Sequence, residues 1–121
     1  MLKLNEWPKN KKIVAIDFDG TITIADYRIW HNNVYTNDIH IENTTVTNWV
    51  RNHRNDMYLI LWTCRIGKAL DDAIDFCNSI NIHFDAINDN IVCFESSNKI
   101  MADIYIDDKS VSINNLDEVI L

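Results

Sequence analysis

Glycine and proline are scarce in this chain, with two glycines and one proline in 121 residues. No linker, low-complexity tract or internal repeat interrupts it, so it reads as one domain over residues 1–121. Cysteine is sparse too. Cys64, Cys77 and Cys93 are odd in number, widely spaced, and form neither a CxxC pair nor a Cys/His ligand pattern. A disulfide framework is not indicated, and a reducing compartment is the simple reading. Basic residues are outnumbered, 11 Lys and Arg against 18 Asp and Glu, for a net charge of −7. That argues against a general nucleic-acid or membrane-surface binder. A nucleotide or other phosphorylated substrate stays compatible, since a metal and a few placed cations offset its charge. No apolar run reaches membrane-spanning length, and residues 1–12 show no signal-peptide core. A soluble, cytoplasmic protein is expected. His31, His40, His53 and His83 have no metal-ligand spacing and read as structural or exposed.

What is present is a core-forming composition, 47% apolar and 24% charged, arranged in alternating patterns. Ile13 to Asp17 is a short apolar run of the kind found in parallel sheets. Residues 21–41 are polar and aromatic, and predict a hairpin or irregular flap. Val46, Trp49, Val50 and His53 fall at helical spacing within 45–54, with Asn43 or Thr44 as cap. Met57 to Trp62 is a second apolar strand. Ile66, Ala69, Leu70, Ala73, Ile74, Cys77 and Ile80 trace one face of a second helix. His83 to Ile87 predicts a third strand, Ser96 or Ser97 the cap of a brief helix carrying Lys99, and Asp103 to Asp107 a fourth strand. The tail, with Ile113, Leu116, Val119 and Ile120, predicts a terminal helix or edge strand. Alternating strands and helices predict an α/β fold: a three-layer, Rossmann-like open parallel sheet flanked by helices.

Ligands in such sheets sit at the carboxyl ends of the strands, and the polar residues that stand out fall there. Asp17-Phe18-Asp19-Gly20-Thr21-Ile22 follows the first strand. If strand geometry carries through Asp19, both carboxylates share a face, where a cation would relieve their repulsion. Gly20 lets the chain leave in a turn. Thr63, Cys64 and Arg65 follow the second strand, and Asp107 and Asp108 the fourth. This set suits phosphoryl transfer through a covalent aspartate. Asp17 supplies the nucleophile. Mg²⁺ prefers oxygen ligands and makes a phosphoryl group electrophilic, and Asp17 with Asp107 or Asp108 can hold it. Asp19 can protonate the leaving oxygen and later activate water. The Thr63 hydroxyl and the backbone amides around it, that of Cys64 included, can bind phosphoryl oxygens. Lys99 can neutralise charge. Arg65 can orient substrate or cap the loop. Tyr27, Trp30 and Tyr35 can line an entrance or pack the flap.

These residues resemble the four motifs of the haloacid dehalogenase superfamily of Asp-nucleophile phosphohydrolases. Asp17-Phe18-Asp19-Gly20-Thr21 is similar to the first motif, Leu61-Trp62-Thr63 to the second, Lys99 to the third, and Ile104-Tyr105-Ile106-Asp107-Asp108 to the fourth. They occur in the family's order over about residues 12 to 110. The resemblance implies Asp17 as nucleophile, Asp19 as general acid/base, Mg²⁺ held by Asp17, Asp107 and Asp108, and the main-chain carbonyl of Asp19 as a further ligand. Neither gap between motifs holds enough chain for a cap domain, so a capless member is implied. Such members act on larger phosphorylated substrates or close their sites by oligomerising. A phosphoacceptor receiver module also combines acids, Mg²⁺, Thr and Lys, but in another order that leaves Asp19 without a duty. A non-enzymatic scaffold is the third reading. Sugar phosphates, nucleotides, nucleic-acid termini and phosphoproteins all remain open as substrates, with long nucleic acid the least comfortable.

Overall fold

The computed structural model describes residues 3–24, 40–93, 99–107 and 113–121, with side chains from 116 in the last stretch. Its centre is a four-stranded sheet. β1 (Lys12–Ile16) and β2 (Met57–Leu61) lie inside, with β3 (Ala86–Ile87) and β4 (Ile104–Ile106) at the edges. The order is β3-β2-β1-β4 and every pairing is parallel. Beyond Lys12, which is exposed at the start of β1, the inner strands are built of apolar and aromatic residues because a parallel sheet is covered on both faces. α1 (Thr44–His53) connects β1 to β2, and α2 (Gly67–Ser79) connects β2 to β3.

Strand order decides which face each element covers. The steps from β1 to β2 and from β2 to β3 run in one direction, so right-handed crossovers put both helices on one face. The step from β3 to β4 returns across the sheet, and the same handedness sends that connection over the other face. Burial follows this pattern. Val14, Ile16, Leu59, Leu61 and Ile106 pack with Val46, Trp49 and Val50 of α1 and with Ala73 and Cys77 of α2. Ile13, Ala15, Ile60 and Ala86 pack instead with Ile91 and Val92, with Leu4, Trp7, Ile100 and Ala102 around them. Among the described residues, then, the flanking α-helices share one face, and irregular chain covers the other. The caps expected at Ser96 or Ser97 fall in residues 94–98, outside the described residues, and Lys99, which the brief helix was expected to carry, lies in a bend and not in a helix.

Several elements differ from the sequence expectation. β2 ends at Leu61, one residue before Trp62. β3 begins at Ala86 rather than His83, and β4 at Ile104 rather than Asp103. In both, an aspartate side chain replaces the next main-chain acceptor: the Leu59 N–H donates to Asp85 Oδ2 at 2.9 Å and the Ile13 N–H to Asp103 Oδ2 at 2.7 Å. Ile66 leaves the helical stripe. It precedes α2 in extended conformation and is 81% exposed. Asn43 stands at the N-cap of α1 but makes no side-chain capping bond. The tail forms a 3₁₀ helix, Ile113–Glu118, whose Leu116 joins the core on the α1 side. The base of the flap is pinned as a hairpin would be. Thr23 bridges Glu42 in antiparallel sense, the Ile24 N–H donates to Ile41 O at 2.9 Å, and the Asn43 N–H donates to Ile22 O at 2.8 Å. Residues 25–39, which include Tyr27, Trp30, His31 and Tyr35, lie outside the described residues.

Candidate functional site

The direction of winding reverses between β1 and β4. In a doubly wound sheet, that reversal opens a crevice beyond the carboxyl ends of the two strands. Ile16 and Ile106 are register partners, and the Asp17 N–H continues the ladder by donating to Ile106 O at 2.9 Å. Asp17 and Asp107 therefore follow directly on a matched pair in adjacent strands, which lie about 4.8 Å apart, and flank the crevice.

β1 stops at Ile16, so the period-two argument relating Asp17 to Asp19 does not apply. Asp17 is extended, and from Phe18 to Ile22 the chain makes a single wide turn closed by the Thr23 N–H on Phe18 O at 3.1 Å. Gly20 sits at φ +77°, the left-handed conformation that favours glycine. This turn carries Asp19 off the strand line. The hydroxyl of Thr21, on the same turn, is fully buried and has no hydrogen-bond partner.

Asp19 meets Arg65. The guanidinium donates from Nε to Oδ2 at 2.9 Å and from Nη2 to Oδ1 at 2.7 Å, a bidentate ion pair. The Arg65 side chain has no solvent exposure, whereas that of Asp19 is 30% exposed. Arg65 also donates from Nη1 to Ala69 O at 3.1 Å and lies over the Phe18 ring, 4.8 Å from its centroid. The burial that covers Arg65 also holds the nearby Cys77 thiol up at about 12, with the Arg65 charge opposing that rise. Sequence reasoning offered Arg65 as a substrate-orienting or loop-capping residue; the structure spends its fork on Asp19.

Beyond β2 the Trp62 N–H donates to Ile16 O at 2.8 Å, which holds the Thr63 loop against the end of β1. The Thr63 amide is already used, donating to Asn88 Oδ1 at 2.8 Å. The Thr63 hydroxyl oxygen accepts the Arg65 N–H at 3.2 Å, an arrangement that leaves the hydroxyl proton as the group to donate. Cys64 is exposed beside it. Asn88, which sequence reasoning missed, follows β3 at φ +49° and donates its own N–H to Leu61 O at 2.7 Å. Its signal was an Asn directly after a strand, a residue that tolerates this conformation.

Lys99 is exposed on the connection entering β4. Asn90, also missed, clasps that connection: its Nδ2 donates to Lys99 O at 2.9 Å and its Oδ1 accepts the Met101 N–H at 2.7 Å. Asp108 and Lys109 lie outside the described residues. Among the described residues no three His, Cys, Asp or Glu side chains gather as a metal-ligand group. The donors at the crevice, Asp17 and Asp107, are carboxylates, a set that fits a hard cation such as Mg²⁺. The Arg65 pairing does not compete with the Asp19 main-chain carbonyl that the resemblance assigns to the metal. A cleft of about 840 Å³ opens at the opposite rim, between Trp7, Lys12, His53 and Asp103. It lies at the amino ends of the strands, away from every residue of the candidate site.

Fold and site together define a small parallel α/β domain with two aspartates, Asp17 and Asp107, directly after the adjacent strands where its winding reverses. A solved structure of a conserved protein from Bacteroides thetaiotaomicron is similar to it, with 31% sequence identity, a TM-score of 0.66, and coverage of 84% of this chain and 79% of that one. The chain belongs to the same family as that protein. No family model matches the sequence, and no curated protein matches it. No described helix is long and apolar enough to cross a membrane.

Proposed function

We propose that the domain is a Mg²⁺-dependent, capless phosphohydrolase of the haloacid dehalogenase type, acting on a phosphomonoester. The observation that carries this reading is the placement of Asp17 and Asp107 at the ends of adjacent parallel strands, flanking the crevice where the winding reverses. Mg²⁺, held by Asp17, Asp107, Asp108 and the Asp19 carbonyl, would neutralise phosphoryl charge and so favour attack by an anionic carboxylate.

The chain's own groups supply the rest. An Asp17 carboxylate oxygen attacks phosphorus, and the bond from phosphorus to the leaving oxygen breaks. Asp19 gives its proton to that leaving oxygen. Asp19 then takes a proton from water, which attacks the aspartyl phosphate; orthophosphate departs and the Asp17 carboxylate returns. The Thr63 hydroxyl and the Cys64 amide orient phosphoryl oxygens, and Lys99 offsets their charge.

The experiment is turnover of a generic aryl phosphate with Mg²⁺, comparing wild type with Asp17→Asn. Loss of activity by roughly 10³-fold or more is expected from removing a nucleophile. Equal activity in the two proteins rules Asp17 out as nucleophile. Stable phosphorylation of Asp17 by a small phosphodonor, without turnover, supports a phosphoacceptor module instead.

A further inference from the structure

A fully buried arginine demands an account, because a charge removed from water is costly unless it is paired and hydrogen-bonded. Arg65 is the largest side chain with no exposure in the described core. Its Nε and Nη2 reach Asp19, 46 residues away in sequence, and its Nη1 reaches Ala69 O in the first turn of α2. Its plane rests on Phe18, the residue between the two catalytic aspartates of the proposed mechanism. Its main-chain N–H is donated to the Thr63 hydroxyl oxygen. One residue is thus tied to the turn after β1, to the loop after β2 and to α2.

The geometry points to Arg65 as a positioning residue that fixes the Asp19 carboxylate relative to Thr63, and not as a group that touches substrate. This rests on the phosphohydrolase reading above. Asp19 sits on a turn with extended backbone beside a left-handed glycine, so the turn alone leaves its side-chain rotamer unfixed. The planar fork of Arg65 removes that freedom, because two parallel hydrogen bonds set both distance and rotation. Lysine, a point charge, satisfies the charge of Asp19 but not its orientation. The fork uses one lone pair of each Asp19 oxygen and leaves the second free. The proton of the proposed mechanism is taken up and given away there, and a proton carrier held off line by about 1 Å loses much of its effect. The loss falls hardest on substrates whose leaving oxygen must be protonated.

The test compares wild type with Arg65→Lys on an aryl phosphate and on a simple alkyl phosphate, each with Mg²⁺. Arg65→Lys is expected to lower kcat by roughly 10- to 100-fold on the alkyl phosphate and by less on the aryl phosphate, with KM changed by no more than about twofold. In an Asp19→Ala background the same substitution is expected to add less than about twofold. A rise in KM at constant kcat makes Arg65 a substrate ligand and overturns the inference, as does an equal loss on both substrates or a loss that persists in the Asp19→Ala background. A second measurement needs no turnover. The Arg65 Nε–H resonance is expected to exchange slowly in wild type and rapidly in Asp19→Ala. Rapid exchange in wild type overturns the inference whatever the activity. Slow exchange in a protein that hydrolyses neither phosphate leaves the pairing standing and sinks the phosphohydrolase reading alone.

Discussion

Asp103 and Ile13 exchange two hydrogen bonds at the amino end of the sheet. The Asp103 N–H donates to Ile13 O at 2.8 Å, and the Ile13 N–H donates back to the Asp103 carboxylate at 2.7 Å. Asp85 and Leu59 repeat the exchange beside β3, at 2.8 and 2.9 Å. Each aspartate ends its edge strand and satisfies the neighbouring central strand at the same time. Asp103→Ala would leave the amide of Ile13, a fully buried residue, without its acceptor and would remove the bond from the Trp7 indole N–H. Such an orphaned donor costs about 1–3 kcal/mol. Urea denaturation should show that loss at unchanged m-value, with Asp103→Asn intermediate because one acceptor oxygen survives.

Asn88 has two separable duties: it occupies a left-handed backbone conformation and it caps the Thr63 amide. Asn88→Gly keeps the first and loses the second, while Asn88→Ala loses both. The alanine variant should therefore be less stable than the glycine variant by roughly 1 kcal/mol. Both should weaken phosphate binding alike, read as a comparable rise in the inhibition constant of inorganic phosphate. Unequal binding losses would show that Thr63 is held by the backbone of Asn88 and not by its amide.

The positions of β1 and β2 were legible because Ile13 to Ile16 and Met57 to Leu61 carry no charged residue, and a short run of this kind bounded by polar residues has few other uses. The order of polar residues after the strands was legible for the same reason. The shortening of β3 and β4 was not, since Asp85 and Asp103 act through side chains aimed at strands 26 and 90 residues away in sequence. The asymmetric covering of the sheet depends on strand order, which local periodicity does not encode. Arg65 was the largest surprise. Nothing near it marks a buried cation, because its counter-charge and its aromatic support both come from the turn after β1.

Glu42 accepts from the Thr47 hydroxyl and from Arg51 Nη2, and these bonds, the first of them foremost, hold its carboxyl below the usual glutamate range. A carboxyl depressed in the folded state stabilises it at pH above the ordinary glutamate value, and that contribution fades as pH falls through the folded-state value. Glu42→Gln should cost up to about 1 kcal/mol at pH 7, since the ion pair is still partly exposed. The difference between wild type and variant should shrink as pH drops below 4, measured by thermal unfolding across the acid range. A gap that stays constant down to pH 3 would assign the stabilisation to shape and not to charge.

Cys77 lies in the core against the sheet, and burial pushes its thiol up to about 12. At neutral pH it is therefore protonated as well as inaccessible, two independent reasons for it to be unreactive. Cys64 and Cys93 are exposed. A colourimetric thiol reagent should label Cys64 and Cys93 quickly in the native protein and Cys77 only after denaturant is added, with the slow phase following global unfolding. Inorganic phosphate with Mg²⁺ should slow the Cys64 reaction alone if that residue's amide faces the phosphoryl group. Equal protection of Cys64 and Cys93 would point to general stabilisation and not to occupancy of the crevice.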